Sequence, residues 1–166
     1  MSKVLTTNYV DTPISGVTGL NLARGLVNFG ADFKVKKDSP EEVILTNLTC
    51  PVIYPEKIRF SVSDVNNVYN GSSIEPSLFA PTKRGVSVLC QVTETWKVTD
   101  TADPSYEVAL PVSAHLVLKV PNNEMVTPAA VQSLIGRLIS ALYETGKTDT
   151  TRLSALLRGS LKPSDI

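Results

Sequence analysis

The sequence is poor in the residues that hold metals or move protons near neutral pH. It has one histidine, His115, and two cysteines, Cys50 and Cys90, in 166 residues. The cysteines lie far apart with no metal-type spacing, which excludes a Cys/His zinc site. An excess of one charge is also missing: 16 basic residues face 16 acidic ones. No global basic surplus advertises nucleic acid, so any anion affinity must come from a local patch. Long apolar runs are absent as well, so neither a membrane span nor a signal peptide is expected. The expectation is a protein of a reducing cytoplasm, its cysteines buried as free thiols. The sequons at Asn47 (NLT) and Asn70 (NGS) are then chance matches. Internal repeats and low-complexity tracts are lacking too.

What is present is β-branched and punctuated by turns from residue 1 to about 126. "KVLTTNYV" (Lys3–Val10) reads as a strand. "ADFKVKK" (Ala31–Lys37) alternates Phe33 and Val35 with lysines and is expected to pair with it in an N-terminal hairpin. The glycines at 16, 19 and 25 between them match no phosphate-cradling pattern. "EEVILTNLT" is the next strand, and three with clean alternation follow. "EKIRFSVSDV" sets Ile58, Phe60 and Val62 against Arg59, Ser61 and Ser63. "GVSVLCQVTETW" sets Val86, Val88, Cys90 and Val92 against Ser87, Leu89, Gln91 and Thr93. "LPVSAHLVLKV" sets Ala114, Leu116, Leu118 and Val120 against Ser113, His115, Val117 and Lys119. One apolar and one mostly polar face per strand indicates an antiparallel sheet covered on one side. Asn66–Gly85 is a long turn-rich connection, and Lys97–Ser105 a short acidic loop.

The chain ends in its only strongly helical stretch. Thr127 is a good N-cap and Pro128 suits the first helical position. Val131, Leu134, Ile135, Leu138, Ile139 and Leu142 form one apolar stripe at helical spacing. Gly146 is the expected stop. A second helix is expected from near Asp149, after a link of about three residues, carrying Leu153, Leu156 and Leu157 and ending at Gly159. Strands first and helices last give an α+β fold with two C-terminal helices on one face of the sheet. A single domain over 1–166 follows, with an N-terminal hairpin (1–40), a main sheet (41–126) and a helix pair (127–160). Taken alone, the helices need nothing beyond their own sheet to pack on.

No catalytic constellation emerges, so no enzyme, cofactor or metal site is expected. Ser113 and His115 share a strand face but stand about 7 Å apart, too far for a direct bond in most rotamers. Glu41 and Glu42, being adjacent, point to opposite faces. Asp100 and Asp103 are too few for calcium. The polar sheet face is the remaining candidate. Lys57, Arg59, Gln91, His115 and the serines offer donors and acceptors of the kind that sheet platforms use on RNA. Plain solvent exposure accounts for the same pattern.

The run "EKIRFSVSDV … RGVSVLCQV … YEVALPVSAHLVLKVPNNEMVTPAAVQSLIGRLISALY" resembles the coat proteins of single-stranded RNA bacteriophages, the levivirus type. The resemblance spans roughly Glu56 to Leu157 apart from the long middle loop. It is carried by strand order, alternation and a strand ending "LKVP" that leads into a helix. It implies an interlocked homodimer whose helices cross the partner's sheet, with Val131, Leu134, Ile135, Leu138, Ile139 and Leu142 at the dimer interface. It implies a virion protein, assembled in the bacterial host's cytoplasm from dimers into an icosahedral shell around single-stranded genomic RNA, with no membrane partner. It places RNA contacts on Arg59, Ser61, Ser63, Ser87, Leu89, Ser113 and His115, to which strand position adds Lys57 and Gln91. Members of this family also bind an operator hairpin as translational repressors. Leu89 and Ser113 depart from that pattern, where a basic or polar residue and a stacking aromatic are usual. A dimeric RNA-binding module that forms no shell is the alternative reading.

Overall fold

The computed structural model describes residues 3–17, 20 and 24–166. They form two compact units. One is the segment Leu26–Asn123; the other joins Met1–Gly25 to Glu124–Ile166.

The first unit is a five-stranded antiparallel meander in the order β1-β2-β3-β4-β5. Its strands are β1 (Phe33–Ser39), β2 (Glu42–Asn47), β3 (Lys57–Val65), β4 (Gly85–Thr99) and β5 (Glu107–Pro121). A four-residue helical turn, α1 (Phe29–Asp32), leads into β1, capped by the Asn28 side chain accepting from Ala31 N at 3.2 Å. Register follows the alternation seen in the sequence. Ile58 pairs with Leu45 and Val92, Phe60 with Val43 and Cys90, and Val62 with Val88. Directly paired residues share a face, so these form the apolar side. On β1 a register shift between Val35 and Lys37 leaves Lys36 unpaired.

The expected N-terminal hairpin is displaced. Lys3–Val10 forms no strand, and β1 pairs instead with β2 across the turn at Pro40 and Glu41. A tight turn orders fewer residues than a connection of about twenty, and this favours the local partner. Gly19 lies outside the described residues. The β4–β5 hairpin is longer than expected: Lys97, Val98 and Thr99 continue β4, and the ladder runs to Thr99↔Glu107. Only Asp100–Tyr106 remain as loop. There the Asp100 and Asp103 carboxylates accept from the backbone amides of Ala102 (2.8 Å) and Ser105 (3.0 Å). Gly85 opens β4 where a Cβ would come within 2.4 Å of Val68 Cγ1 and 2.5 Å of the Val120 carbonyl oxygen. In the long connection before it, the Tyr69 and Phe79 rings stack at 4.0 Å and Ala80 N donates to the Tyr69 hydroxyl at 2.8 Å.

The second unit carries α2 (Pro128–Ser140) and α3 (Leu153–Leu157). Thr127 Oγ1 accepts from Ala130 N at 3.3 Å, with Pro128 in the first turn. The link between the helices is not about three residues but spans Ala141–Arg152. Thr150 and Thr151 are β-branched and favour extended backbone. They serve a small antiparallel bridge in which Tyr143 pairs with Thr151 and Glu144 N donates to Thr150 O. Gly146 (φ +71°) makes the turn of this bridge rather than the helix stop. The second helix therefore begins at Leu153, not near Asp149. It does end at Gly159 (φ +84°), where Ser160 N reaches Ala155 O and Gly159 N reaches Leu156 O. That pair of bonds is a Schellman cap. The N-terminal strand-like segment is used here too. Arg137 Nη1 donates to both Asp11 carboxylate oxygens at 2.8–2.9 Å, and its guanidinium lies 4.0 Å from the Tyr9 ring centre. No helix among the described residues is long and apolar enough to cross a membrane.

Candidate nucleic-acid interface and apolar contact surfaces

Cross-strand pairing turns the polar face into rows. Lys34, Thr46, Lys57, Thr93 and Ser113 form the first, and Lys37, Ile44, Arg59, Gln91 and His115 the second. Ser39, Glu42, Ser61, Leu89 and Val117 form the third, and Ser63, Ser87 and Lys119 the fourth. All nine residues expected at an RNA site (Lys57, Arg59, Ser61, Ser63, Ser87, Leu89, Gln91, Ser113, His115) thus share one face of β3, β4 and β5. Leu89, between Ser61 and Val117, makes the centre of the third row apolar.

Sequence reasoning passed over the cations Lys34 and Lys37 on β1, and it left Lys119 on β5 out of the expected contacts although alternation had set it on the polar face. It also passed over the carboxylate among them. Glu42 Oε1 accepts from Arg59 Nε at 2.5 Å, and Oε2 is in contact with Lys37 Nζ. Arg59 Nη1 reaches Gln91 Oε1 at 3.4 Å. Hydrogen bonds from Lys37 first, and from Arg59 second, hold the Glu42 carboxyl below its ordinary pKa. A β1 register that stayed regular through Lys36 would have put Lys37 on the other face. The signal for this cluster was therefore a bulge, which alternation alone does not reveal.

At the far end of the same face, Glu107 accepts from Lys97 Nζ at 2.6 Å and from the Tyr54 hydroxyl at 2.7 Å. The Lys97 contact, then the Tyr54 one, lowers the Glu107 pKa, while Glu107 raises those of Lys97 and Tyr54. Ion pairs hold Lys37, Arg59 and Lys97; among the described residues none holds Lys34, Lys57 or Lys119. The face therefore carries six cations against the carboxylates of Glu42 and Glu107, in a chain whose formal charge is zero.

The apolar surfaces are unusually open. Among the described residues the only buried apolar side chain is Ile58, 3% exposed. On α2, Leu134 is 58% and Leu138 53% exposed. Ile139 and Leu142 are exposed as well, and Val131 and Ile135 are half-buried. Leu142 lies just past the helix end. On the apolar side of the long hairpin, Trp96, Val98, Val108 and Leu110 are exposed. β5, fifteen residues long, is an edge strand. Cys90 in β4 and Cys50 in the loop after β2 are free and half-buried rather than buried.

No family model and no curated protein matches the chain. Solved structures do. The virus-like particle of bacteriophage AVE015 superposes with a TM-score of 0.88 at 29% identity, covering 99% of this chain and all of that one. The virus-like particle of bacteriophage GQ-112 matches with a TM-score of 0.79 at 18% identity, over 96% of this chain and 97% of that one.

The chain has the fold of a phage coat protein of the levivirus type.

The likeness to GQ-112 supports the fold alone, and that to AVE015, at 29% identity over both whole chains, is the stronger of the two. The chain departs from the strand-order resemblance at the N-terminus, where a segment tied to α2 through Asp11 and Arg137 stands in place of a hairpin.

Proposed function

We propose that this chain is a coat protein that folds as an obligate homodimer and assembles through dimers into an icosahedral shell around single-stranded RNA, the polar sheet face turned inward. The observation that carries this reading is the likeness, from end to end of both chains, to the AVE015 virus-like particle. Surface area supports the dimer. The chain exposes 13479 Å², against about 8,000 Å² expected of a compact folded monomer of 17.9 kDa. The surplus of about 5,500 Å² per chain exceeds the roughly 1,000–2,500 Å² that each partner buries in an obligate interface, so a single copy leaves ample surface for one. Two surfaces are suited to it. The β5 edge offers a long row of unpaired backbone groups, which a second β5 edge satisfies. The stripe from Val131 to Leu142 is apolar and open, which a partner's sheet would cover. On this reading residues 1–166 form one coat-protein domain, its two units completed by the same partner, and stability is inseparable from association.

RNA contact is read as general rather than hairpin-specific. Serines 61, 63, 87 and 113, with Gln91 and His115, supply hydrogen bonds, and Lys34, Lys57 and Lys119 supply phosphate contacts. Leu89 and Ser113 provide neither a basic group nor a stacking ring. An operator role as translational repressor requires one hairpin bound far more tightly than bulk RNA, and competition between the chain's own genomic hairpins and random RNA tests it. The shell itself is tested by negative-stain electron microscopy of the purified recombinant chain after size-exclusion chromatography. Uniform closed particles absorbing at 260 nm until RNA is removed are expected. A stable dimer without particles would favour the non-assembling RNA-binding module. A monomer would overturn the interlocked reading.

A further inference from the structure

Of the six cations on the polar face, Lys34, Lys57 and Lys119 have no ion pair among the described residues, and Lys97 pairs singly with Glu107. One pair stands around an anion. Lys37 comes from β1, Glu42 from β2 and Arg59 from β3, and the carboxylate uses both oxygens, one for each cation. Glu42 lies one row away from Lys37 and Arg59 and reaches diagonally across Ile44 to sit between them. It is the least exposed of the three, with 16% of its side-chain surface accessible against 54% for Lys37 and 41% for Arg59. Gln91 steadies the far side of the guanidinium. Two cations converging on a singly charged group with two equivalent oxygens is also what a phosphodiester needs. Its two non-bridging oxygens carry the same charge and accept the same donors.

We propose that Glu42 is an internal phosphate mimic, seated in a backbone-phosphate subsite formed by Lys37 and Arg59, which RNA enters only by displacing it. This deepens the reading of the polar face as RNA-facing and rests on it. The subsite offers RNA a net charge of one rather than two, and binding there is an exchange of anions rather than the addition of one. A carboxylate held below its ordinary pKa stays ionised at neutral pH, so the mimic is displaced and not protonated away. The consequence is a deliberately weakened, sequence-independent contact on the β1 side of the sheet. The grip is left to Lys34, Lys57 and Lys119, which have no such competitor among the described residues.

The test uses the full chain freed of RNA by nuclease, with a fluorescent oligouridylate as probe and anisotropy read across a salt series. Glu42→Gln keeps size and one acceptor for Arg59 but removes the charge. It is expected to tighten binding several-fold at physiological salt and to steepen the dependence of log K on log salt by about 0.7, the value for one more phosphate neutralised on a single strand. Lys57→Gln, two residues from Arg59 but outside the Glu42 ion pairs, is expected to weaken binding and flatten the slope by about the same amount. A Glu42→Gln chain that binds no more tightly and with an unchanged slope, while Lys57→Gln flattens it, would overturn the mimic and leave the RNA-facing surface standing. Loss of any response in both variants would overturn the surface itself. Circular dichroism of each variant separates a failure to fold from a failure to bind.

Discussion

Leu134 and Leu138 are the sharpest place to ask whether the helix stripe is covered by a second chain. They are 58% and 53% exposed on α2. Burying a leucine completely contributes about 1.5–3 kcal/mol. Covering the exposed half of each should therefore contribute about 1 kcal/mol. A two-fold dimer counts every site twice, so Leu134→Ala with Leu138→Ala removes about 4 kcal/mol per dimer before any cavity cost. That is roughly a thousandfold in the dimer dissociation constant. If the stripe were ordinary surface, the same change would fall within about 0.5 kcal/mol, and alanine would slightly favour the helix. The two readings thus differ in size and in sign. Sedimentation equilibrium over a concentration series measures the shift, and particle counts by electron microscopy report its consequence. A double variant that dimerises at unchanged concentration and assembles normally would refute the reasoning and leave the helix as solvent-facing surface.

Other expectations follow from single sites. Gly85→Ala should destabilise the folded chain by about 1–3 kcal/mol, because Val68 Cγ1 and the Val120 carbonyl leave no room for a methyl group; thermal melting against wild type measures it. Lys97 and Tyr54 hold Glu107 below its ordinary pKa of 4.5, so its contribution is complete above that value and is lost as pH falls through the lower folded pKa. Acid unfolding curves of Glu107→Gln should accordingly lose part of the pH dependence below about 4.5, with little change in that dependence near neutrality. Arg59→Glu places a second anion beside Glu42 and should reduce RNA retained per particle, read as the 260/280 nm absorbance ratio, while leaving the dimer intact. Unchanged RNA content would mean that the polar face does not meet the genome.

The main sheet was legible because alternation with period two is a strong signal wherever one face is polar. β3, β4 and β5 carry it without interruption, and their register put all nine expected residues on one side. The ends were harder. Lys3–Val10 has strand-like composition, yet in the folded chain Tyr9 and Asp11 engage Arg137, 126 positions away for the Asp11 contact, a relation that no local pattern encodes. The Ala141–Arg152 link was misjudged because the helical spacing of Leu153, Leu156 and Leu157 was extended backward through Asp149, whereas Thr150 and Thr151 prefer the extended bridge to Tyr143. Glu42 is only set opposite Glu41 by the sequence, which yields neither its face nor its partners. Lys37 joins that face only through the bulge at Lys36, and a one-residue shift in register moves every side chain beyond it to the other side.

The neutral total is itself informative once the sheet is resolved into faces. Six cations against two carboxylates on one face leave the other surfaces with a compensating acidic surplus, since the chain as a whole carries 16 of each sign. The charge is therefore polarised rather than absent. For a shell this arrangement does work that a uniformly basic protein does not. A basic chain would gather RNA on every surface and aggregate with it, whereas a polarised one attracts RNA only from the side proposed to become the interior. It also makes the Glu42 arrangement intelligible. Moderating the attraction on the β1 side of a basic sheet keeps individual contacts exchangeable while RNA is being enclosed, and the collective charge of many dimers supplies the retention. Salt should accordingly loosen RNA from isolated dimers at concentrations at which closed particles still keep it, because only in the particle are the weak contacts summed. Measuring RNA release from both forms along one salt series checks this. Release at the same concentration from dimers and particles would show that retention depends on the individual contact, and the argument from polarity would fail.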